Sequence, residues 1–362
     1  MQIKHDGQNY APVGIEAPCC KQGEFKVAVI GLDHGHIYGM CNGLKEAGAQ
    51  IYKVYDDDPR KRAGFIFRYR HCLDCQRIED ILEDPKVDLI AIASIPYKRA
   101  EIALLALKYG KHVFVDKPAM VSFEQLENLK LAVARAHKRL FVYFSERLHV
   151  EAAVCAEELI KQGAIGRVLS VELLAPHRLN EASRPEWFFD KRKCGGIITD
   201  IGCHQIEQIL FFGGAHSARI VHSRINNYAH REYPLFQDYG EVMLECDNGV
   251  AGFFRVDWFT PQGLNSWGDG RAFILGDKGY IELRKYLNVA TSKEGDQVFY
   301  VNDEGEHHLE ASGKYGFPFF KKMIRDILDG TNYAMDQDYI FKVMALALEA
   351  QAQAENMGGV HA

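Results

Sequence analysis

The spacing of apolar residues divides the chain near residue 144. From Phe25 to Phe144, short apolar runs alternate with stretches whose apolar residues recur every three or four positions, the rhythm of a parallel sheet with crossover helices. The first run, Lys26 to Ile30, ends at Gly31, and a helix is predicted from Ile37 to Ala47, stopped by Gly48. Runs at Ile51–Tyr55 and Val87–Ala93 follow, the first ending in Asp56-Asp57-Asp58-Pro59 and the second in Ser94-Ile95-Pro96. Ile102, Leu105 and Tyr109 mark a helix that Gly110 ends before a strand at His112–Val115. Ser122 with Gln125 opens another in the pattern of a capping box. Five or six parallel strands are expected.

Beyond Phe144 a helical segment at Val150–Gln162 gives way to strands from Arg167 onward, with hairpin punctuation. Asp247-Asn248-Gly249 lies between Glu241–Cys246 and Ala251–Phe259, and Gly276-Asp277-Lys278-Gly279 separates a second pair. Phe319–Leu328 and Tyr339–Asn356 read as closing helices. The fold class is therefore an α/β Rossmann-type doubly wound parallel sheet followed by an α+β domain with a large, mainly antiparallel open sheet. The domains are an arm at 1–24, a nucleotide-binding domain at 25–146 and a second domain at 147–362, its last helix docking back on the first.

With 362 residues, two cores are expected rather than one. A net charge of -6 excludes a broad nucleic-acid surface. No apolar run is long enough to span a bilayer, and Met1–Phe25 lacks the basic end and apolar centre of a secretory signal. A cytoplasmic protein is expected. Nine cysteines, an odd number, suit reduced thiols. Cys72 and Cys75 have a C-x-x-C spacing that Cys19 and Cys20 could complete into a zinc site, but an adjacent pair lacks the usual ligand spacing, so free thiols are expected.

A helix starting directly after a strand offers unpaired amides to a pyrophosphate. The usual G-x-G-x-x-G appears here as Gly31-Leu32-Asp33-His34-Gly35-His36, with only the first glycine in register. Asp56 stands where an acid accepts ribose hydroxyls. It favours NAD, while Arg60, Lys61 and Arg62 keep NADP open. Ser94 and Pro96, at the end of the third long strand, complete the expected cofactor contacts together with Lys117. His34 and His36 have no assigned task, lack a third metal ligand, and no metal is expected.

Three further segments carry a family resemblance: Ala91–Glu101, Gly110 to Pro118 with its Asp116-Lys117-Pro118, and Gly195 to Glu207 with Asp200-Ile201-Gly202-Cys203-His204-Gln205-Ile206-Glu207. Together they resemble the glucose-fructose oxidoreductase, inositol dehydrogenase and rhizopine catabolism family. Asp116 replaces that family's usual Glu, and Glu207 its usual terminal Asp. The resemblance implies hydride transfer between a secondary hydroxyl of a sugar, cyclitol or related polyol and a nicotinamide. The candidate catalytic residues are Lys117, Asp200 and His204: His204 as base, Asp200 orienting it or binding a neighbouring hydroxyl, Lys117 clamping the reacting oxygen. Asp200 and His204, four apart, share one helix face. Lys117, Asp200, His204, His177 and Trp187 are the candidate substrate contacts; Tyr97, Arg147, Arg178, Trp258 and Trp267 are weaker ones, with Trp258 read as core. A cis peptide at Lys117–Pro118 and a homodimer or homotetramer formed through the second sheet are also implied. Two rival readings stay open, a nicotinamide-dependent glycosidase working by transient oxidation and a catalytically silent sensor of cofactor and sugar.

Overall fold

The computed structural model describes residues 7, 10–15 and 17–356. The described residues form two compact units, one from 10–143 with 317–341 and the other from 144–316 with 342–356 and residue 7. The first unit thus ends at Tyr143, three residues before the expected boundary, and takes back a later segment.

In the first unit, β1 (Lys26–Leu32), β2 (Gln50–Tyr55), β3 (Leu73–Asp74), β4 (Leu89–Ala93), β5 (His112–Asp116) and β6 (Leu140–Tyr143) form one sheet in the order β3-β2-β1-β4-β5-β6. All neighbours pair parallel. That order reverses direction between β1 and β4, and open α/β sheets bind ligands at such a switch point, outside the strands' carboxyl ends. The runs are apolar throughout because both faces are covered: β4 is buried at every position. Ser122 caps helix Phe123–Ala136 by accepting the Gln125 N–H at 3.2 Å, while Gln125 Oε1 accepts the Val121 N–H at 2.8 Å, so the reciprocal bond falls one residue before the expected one.

Part of the predicted arm, residues 1–6, 8, 9 and 16, lies outside the described residues. Its described residues from Tyr10 onward pack on the first unit, Cys19 N donating to Ala47 O at 2.9 Å and Gly14 N to Glu46 Oε2 at 2.8 Å. Helix Pro318–Asp329 also belongs here. Its Phe319 and Phe320 rings lie 5.9 and 6.2 Å from Phe114 on β5, and Phe319 lies 6.4 Å from Phe141 on β6. The first turns of the last helix, Gln337–Gln353, also belong to the first unit, where Gln337 exchanges two hydrogen bonds with Leu140 on β6 at 2.8 and 2.7 Å, and the helix passes to the second unit at Lys342.

The second unit holds a nine-stranded sheet in the order β14-β13-β12-β11-β7-β10-β9-β8-β15. Its strands are β7 (Val168–Pro176), β8 (Ala218–Asn226), β9 (Tyr239–Cys246), β10 (Ala251–Asp257), β11 (Arg271–Gly276), β12 (Gly279–Arg284), β13 (Gln297–Asn302), β14 (Gly305–Glu310) and β15 (Glu355–Asn356). Pairing is antiparallel except for β10 with β7 and β15 with β8. Both predicted hairpins form, and Gly249, at φ +85°, makes the turn that only glycine takes without strain. One face is packed by helix Cys203–Gly213, buried at ten of its eleven positions.

Candidate active site

The first unit's strand ends assemble a stapled loop. Gly31 has φ +84°, and a Cβ there would meet Ser94 Cβ at 2.7 Å and its backbone at 2.9 Å, so β1 and the exit of β4 approach closely only because this residue is glycine. Asp33 does not project toward the place of a phosphate: Oδ1 accepts Lys61 Nζ at 2.5 Å and Oδ2 accepts the Ile95 N–H at 3.1 Å. Helix His36–Glu46 begins after Gly35, and no side chain caps its first amides. Ser94 Oγ is buried with no hydrogen-bond partner among the described residues, and Pro96 opens helix Pro96–Lys108. A helix start with no side-chain cap, a glycine that admits close approach and an unsatisfied hydroxyl fit a dinucleotide pyrophosphate.

Asp56, the expected ribose acceptor, is engaged within its own loop. It is buried, and its two carboxylate oxygens accept the Leu32 N–H at 2.7 Å and the Asp58 N–H at 2.8 Å. Asp57 is the exposed carboxylate at that strand end. The nearby cations are already paired, Lys61 with Asp33 and Arg60 with Asp58.

At the end of β5 the Lys117–Pro118 peptide is cis, and Lys117 is buried. The segment is clamped by Arg99, 0% exposed. Arg99 Nε donates to Ser94 O at 2.7 Å, and Nη1 donates to the carbonyls of Asp116 at 3.1 Å, Pro118 at 3.2 Å and Lys117. Its Nη2 lies 2.7 Å from Asp116 Oδ2. Sequence reasoning missed Arg99, since a lone Arg on a helix reads as a surface residue. Burial alone would raise the Asp116 carboxyl, but the Arg99 charge and the two imidazoles beside it hold it well below the usual carboxylate range.

Those imidazoles are His34 and His36, with Nδ1 atoms 2.9 and 2.8 Å from Asp116 Oδ2 and Oδ1. Burial pushes His34 down to about 4, against the opposing pull of Asp116, so it is neutral at pH 7. The cysteines take no such part. All nine are free thiols, and His34, His36 and Asp116 are the one group of three metal-ligating side chains that converges among the described residues.

In the second unit Asp200 lies in a π turn, Ile198–Gly202, that runs directly into helix Cys203–Gly213 carrying His204. Such wide turns are frequent at functional sites. Asp200 lines a pocket with Phe188, Lys191, Gln237 and Trp258. Trp187, the expected wall residue, is not among this pocket's lining residues, which include its neighbour Phe188, and Trp258 is both buried, as expected, and part of the lining. His204 is 2% exposed, and its backbone oxygen accepts Gln208 Nε2 at 3.0 Å. Behind it runs a buried polar chain. Lys285 Nζ donates to Gln208 Oε1 at 2.6 Å and lies 3.7 Å from Glu146, whose Oε2 accepts Gln205 Nε2 at 2.8 Å. Burial lowers the Lys285 ammonium, against Glu146. His177 Nδ1 donates to Ala175 O at 3.1 Å, and its Nε2 faces Glu146 Oε1 at 3.6 Å. Its ring packs 4.6 Å from Trp267. Arg147 and Glu207 pair with each other, Nε lying 2.8 and 2.9 Å from the two carboxylate oxygens. Glu207, the swapped final acid of the second motif, is therefore structural. Arg178 is buried and donates to Pro261 O at 3.0 Å and Leu264 O at 2.6 Å, while Tyr97 is 37% exposed.

A parallel sheet with a dinucleotide loop, followed by a large open sheet bearing an acid and a histidine in one helical run, defines a nicotinamide-dependent oxidoreductase class. The family described as "Oxidoreductase family, NAD-binding Rossmann fold" matches residues 25–144, and "GFO/IDH/MocA C-terminal domain" matches residues 154–282. The chain belongs to the Gfo/Idh/MocA oxidoreductase family, as the sequence resemblance implied, and its first unit is an NAD-binding domain. It is similar to scyllo-inositol 2-dehydrogenase (NAD(+)) of Bacillus subtilis, 26% identical over 208 residues, 56% of each chain. Similarity to D-xylose dehydrogenase of Paenarthrobacter nicotinovorans is 30% over 135 residues, only 35% of this chain and 34% of that one. Among solved structures, a chain from Erwinia carotovora atroseptica assigned to the oxidoreductases is 43% identical with a TM-score of 0.90, covering 92% of this chain and all of that one. Levoglucosan dehydrogenase in complex with NADH and L-sorbose shares the fold at 19% identity and a TM-score of 0.72, over 91% and 97% of the two chains.

Proposed function

We propose that this oxidoreductase uses NAD to oxidise, reversibly, a secondary hydroxyl of a sugar, cyclitol or related polyol. The observation that carries the reading is the clamped Asp116-Lys117-Pro118 at the carboxyl end of β5, where a doubly wound sheet binds ligands, beside the loop that fits a pyrophosphate. The relatives named as inositol, xylose and levoglucosan dehydrogenases support the substrate class.

The loop Gly31 to His36, Ser94 and Pro96 hold the cofactor, with Lys117 at its edge. Asp57, exposed where Asp56 is not, accepts the ribose hydroxyls and repels a 2′-phosphate, which favours NAD over NADP. When bound, NAD supplies the hydride acceptor. Lys117 donates a hydrogen bond to the reacting oxygen and stabilises its developing negative charge. His204 takes the hydroxyl proton, its helix turn held in place by the Gln208–Lys285 chain. Asp200 binds a neighbouring hydroxyl from the π turn, Phe188 contributes to the pocket wall, and His177 packs 5.4 Å from Trp258 of that wall.

The test is NADH formation, followed by absorbance, across a panel of polyols and sugars. Turnover that falls by about 10²–10⁴-fold in folded Lys117→Ala and His204→Asn variants supports the roles. Unchanged turnover in either removes that residue from the mechanism. Glycoside cleavage without net NADH would select the transient-oxidation reading.

We also infer a homo-oligomer joined through the second sheet. Phe273, Leu275, Tyr280 and Met243 are exposed on one face, at cross-strand positions linked by the registers of β7, β9, β10, β11 and β12. A monomer in light scattering refutes this. Nine free thiols suit a reducing compartment, and no described helix is long and apolar enough to cross a membrane.

A further inference from the structure

The loop after β1 carries two imidazoles where the family's nucleotide loop usually needs glycines, and hydride transfer as derived above uses neither ring. Their partner is a carboxylate eighty positions beyond His36, at the end of β5, brought close because only β4 separates β1 from β5 in the sheet. The ligand-capable atoms of His34, His36 and Asp116 all lie within 4.8 Å of one another. The rings meet edge to face, centroids 4.3 Å apart at 87°, so they do not stack away the space between their nitrogens.

The two imidazole contacts differ. His36 Nδ1 makes an ordinary hydrogen bond to Asp116 Oδ1 at 2.8 Å. His34 Nδ1 lies 2.9 Å from Asp116 Oδ2, the oxygen that Arg99 Nη2 also approaches at 2.7 Å, and both atoms are buried. Both imidazole nitrogens thus face one buried carboxylate, one against each oxygen. A cation set among them would take lone pairs from both rings and the carboxylate at once. The carboxylate is also anchored from behind by Arg99 Nη2 at 2.7 Å, as ligating carboxylates commonly are by outer partners.

We propose that His34 Nδ1, His36 Nδ1 and one carboxylate oxygen of Asp116 bind a single divalent transition-metal ion. Two imidazole nitrogens and one oxygen select zinc, cobalt or nickel over magnesium and calcium, which prefer all-oxygen sites. Three protein ligands leave a coordination position for water or an anionic oxygen, the arrangement of a reactive site and not of a closed structural one. His34 is the more exposed imidazole, with 12% of its side chain accessible against 8% for His36, and so marks the side of entry.

The test is titration of chelator-treated protein with Co²⁺ alone, read by visible d–d absorption, with bound metal counted by elemental analysis after dialysis. One ion per chain is expected, displaced by Zn²⁺. His34→Gln and His36→Gln should each weaken binding at least tenfold. Circular dichroism checks folding, and His34→Gln, the less buried change, decides the matter should His36→Gln unfold. Absence of stoichiometric Co²⁺ and Zn²⁺ binding overturns the proposal, and so does an affinity unchanged in folded His34→Gln. Neither substrate nor NAD enters this experiment, so its failure leaves the dehydrogenase reading standing, and failure of the NADH assay leaves the metal site standing.

Discussion

Replacing Arg99 by Met should both destabilise the protein and slow it. The substitution keeps the aliphatic volume but removes hydrogen bonds to four carbonyls and leaves the 0%-exposed Asp116 without its guanidinium. Breaking a buried pair by deleting one partner typically costs about 3–5 kcal/mol, because the surviving charge stays buried. For a domain of roughly 150–250 residues, each kcal/mol lowers Tm by about 2–4 °C, so a fall of roughly 6–20 °C is expected. Scanning calorimetry measures this directly. In the same preparation the Asp116–Pro118 segment loses its clamp, and a displacement of Lys117 by about 1 Å can cost on the order of 10²-fold in kcat. Arg99→Lys should recover little, since an ammonium cannot span the forked set of acceptors. A Tm within 2 °C of wild type together with unchanged kcat in Arg99→Met would refute the claim that this guanidinium holds the lysine loop.

Gly31→Ala should destabilise by about 1–3 kcal/mol and weaken NAD binding, because φ +84° is unfavourable for alanine and its methyl would collide with Ser94; chemical denaturation and NADH fluorescence titration measure the two effects. His112 offers a pH test. Burial, then Lys138 and Arg139, push it down to about 4, and its Nδ1 accepts the Arg139 N–H at 3.1 Å. The unfolded chain therefore binds an extra proton between pH 6.5 and 4, so this residue's contribution, up to roughly 3 kcal/mol, is complete above pH 6.5 and is lost as pH falls through 4. His112→Gln should flatten wild type's decline in denaturant midpoint over that window, and parallel curves would show that His112 is not the titrating group.

The parallel strands and crossover helices of the first unit and both hairpins of the second could be read from local pattern, since apolar period and turn glycines are properties of neighbouring residues. What escaped was set by contacts distant in sequence. Asp116 read as a shortened acid, but its carboxylate is the meeting point of His34, His36 and Arg99. Asp56 sits at the expected strand end, yet the tight loop folds the amides of Leu32 and Asp58 onto it, and the exposed acid is Asp57. The i,i+4 argument for Asp200 and His204 assumed an α-helix, whereas a π turn precedes it and no local residue type announces one. Glu146 and Lys285 carry ordinary surface residue types, and only the packing around them shows that they are buried.

The return of Phe317–Phe341 to the first unit has a consequence for biosynthesis. While the ribosome is still translating the second sheet, the aromatic surface of β5 and β6 has no covering helix, because Phe319 and Phe320 are not yet made. The second sheet and the segment Phe317–Phe341 must emerge before the nucleotide-binding core can close, so a fragment cut after residue 143 is a poor stand-in for the domain that family boundaries suggest.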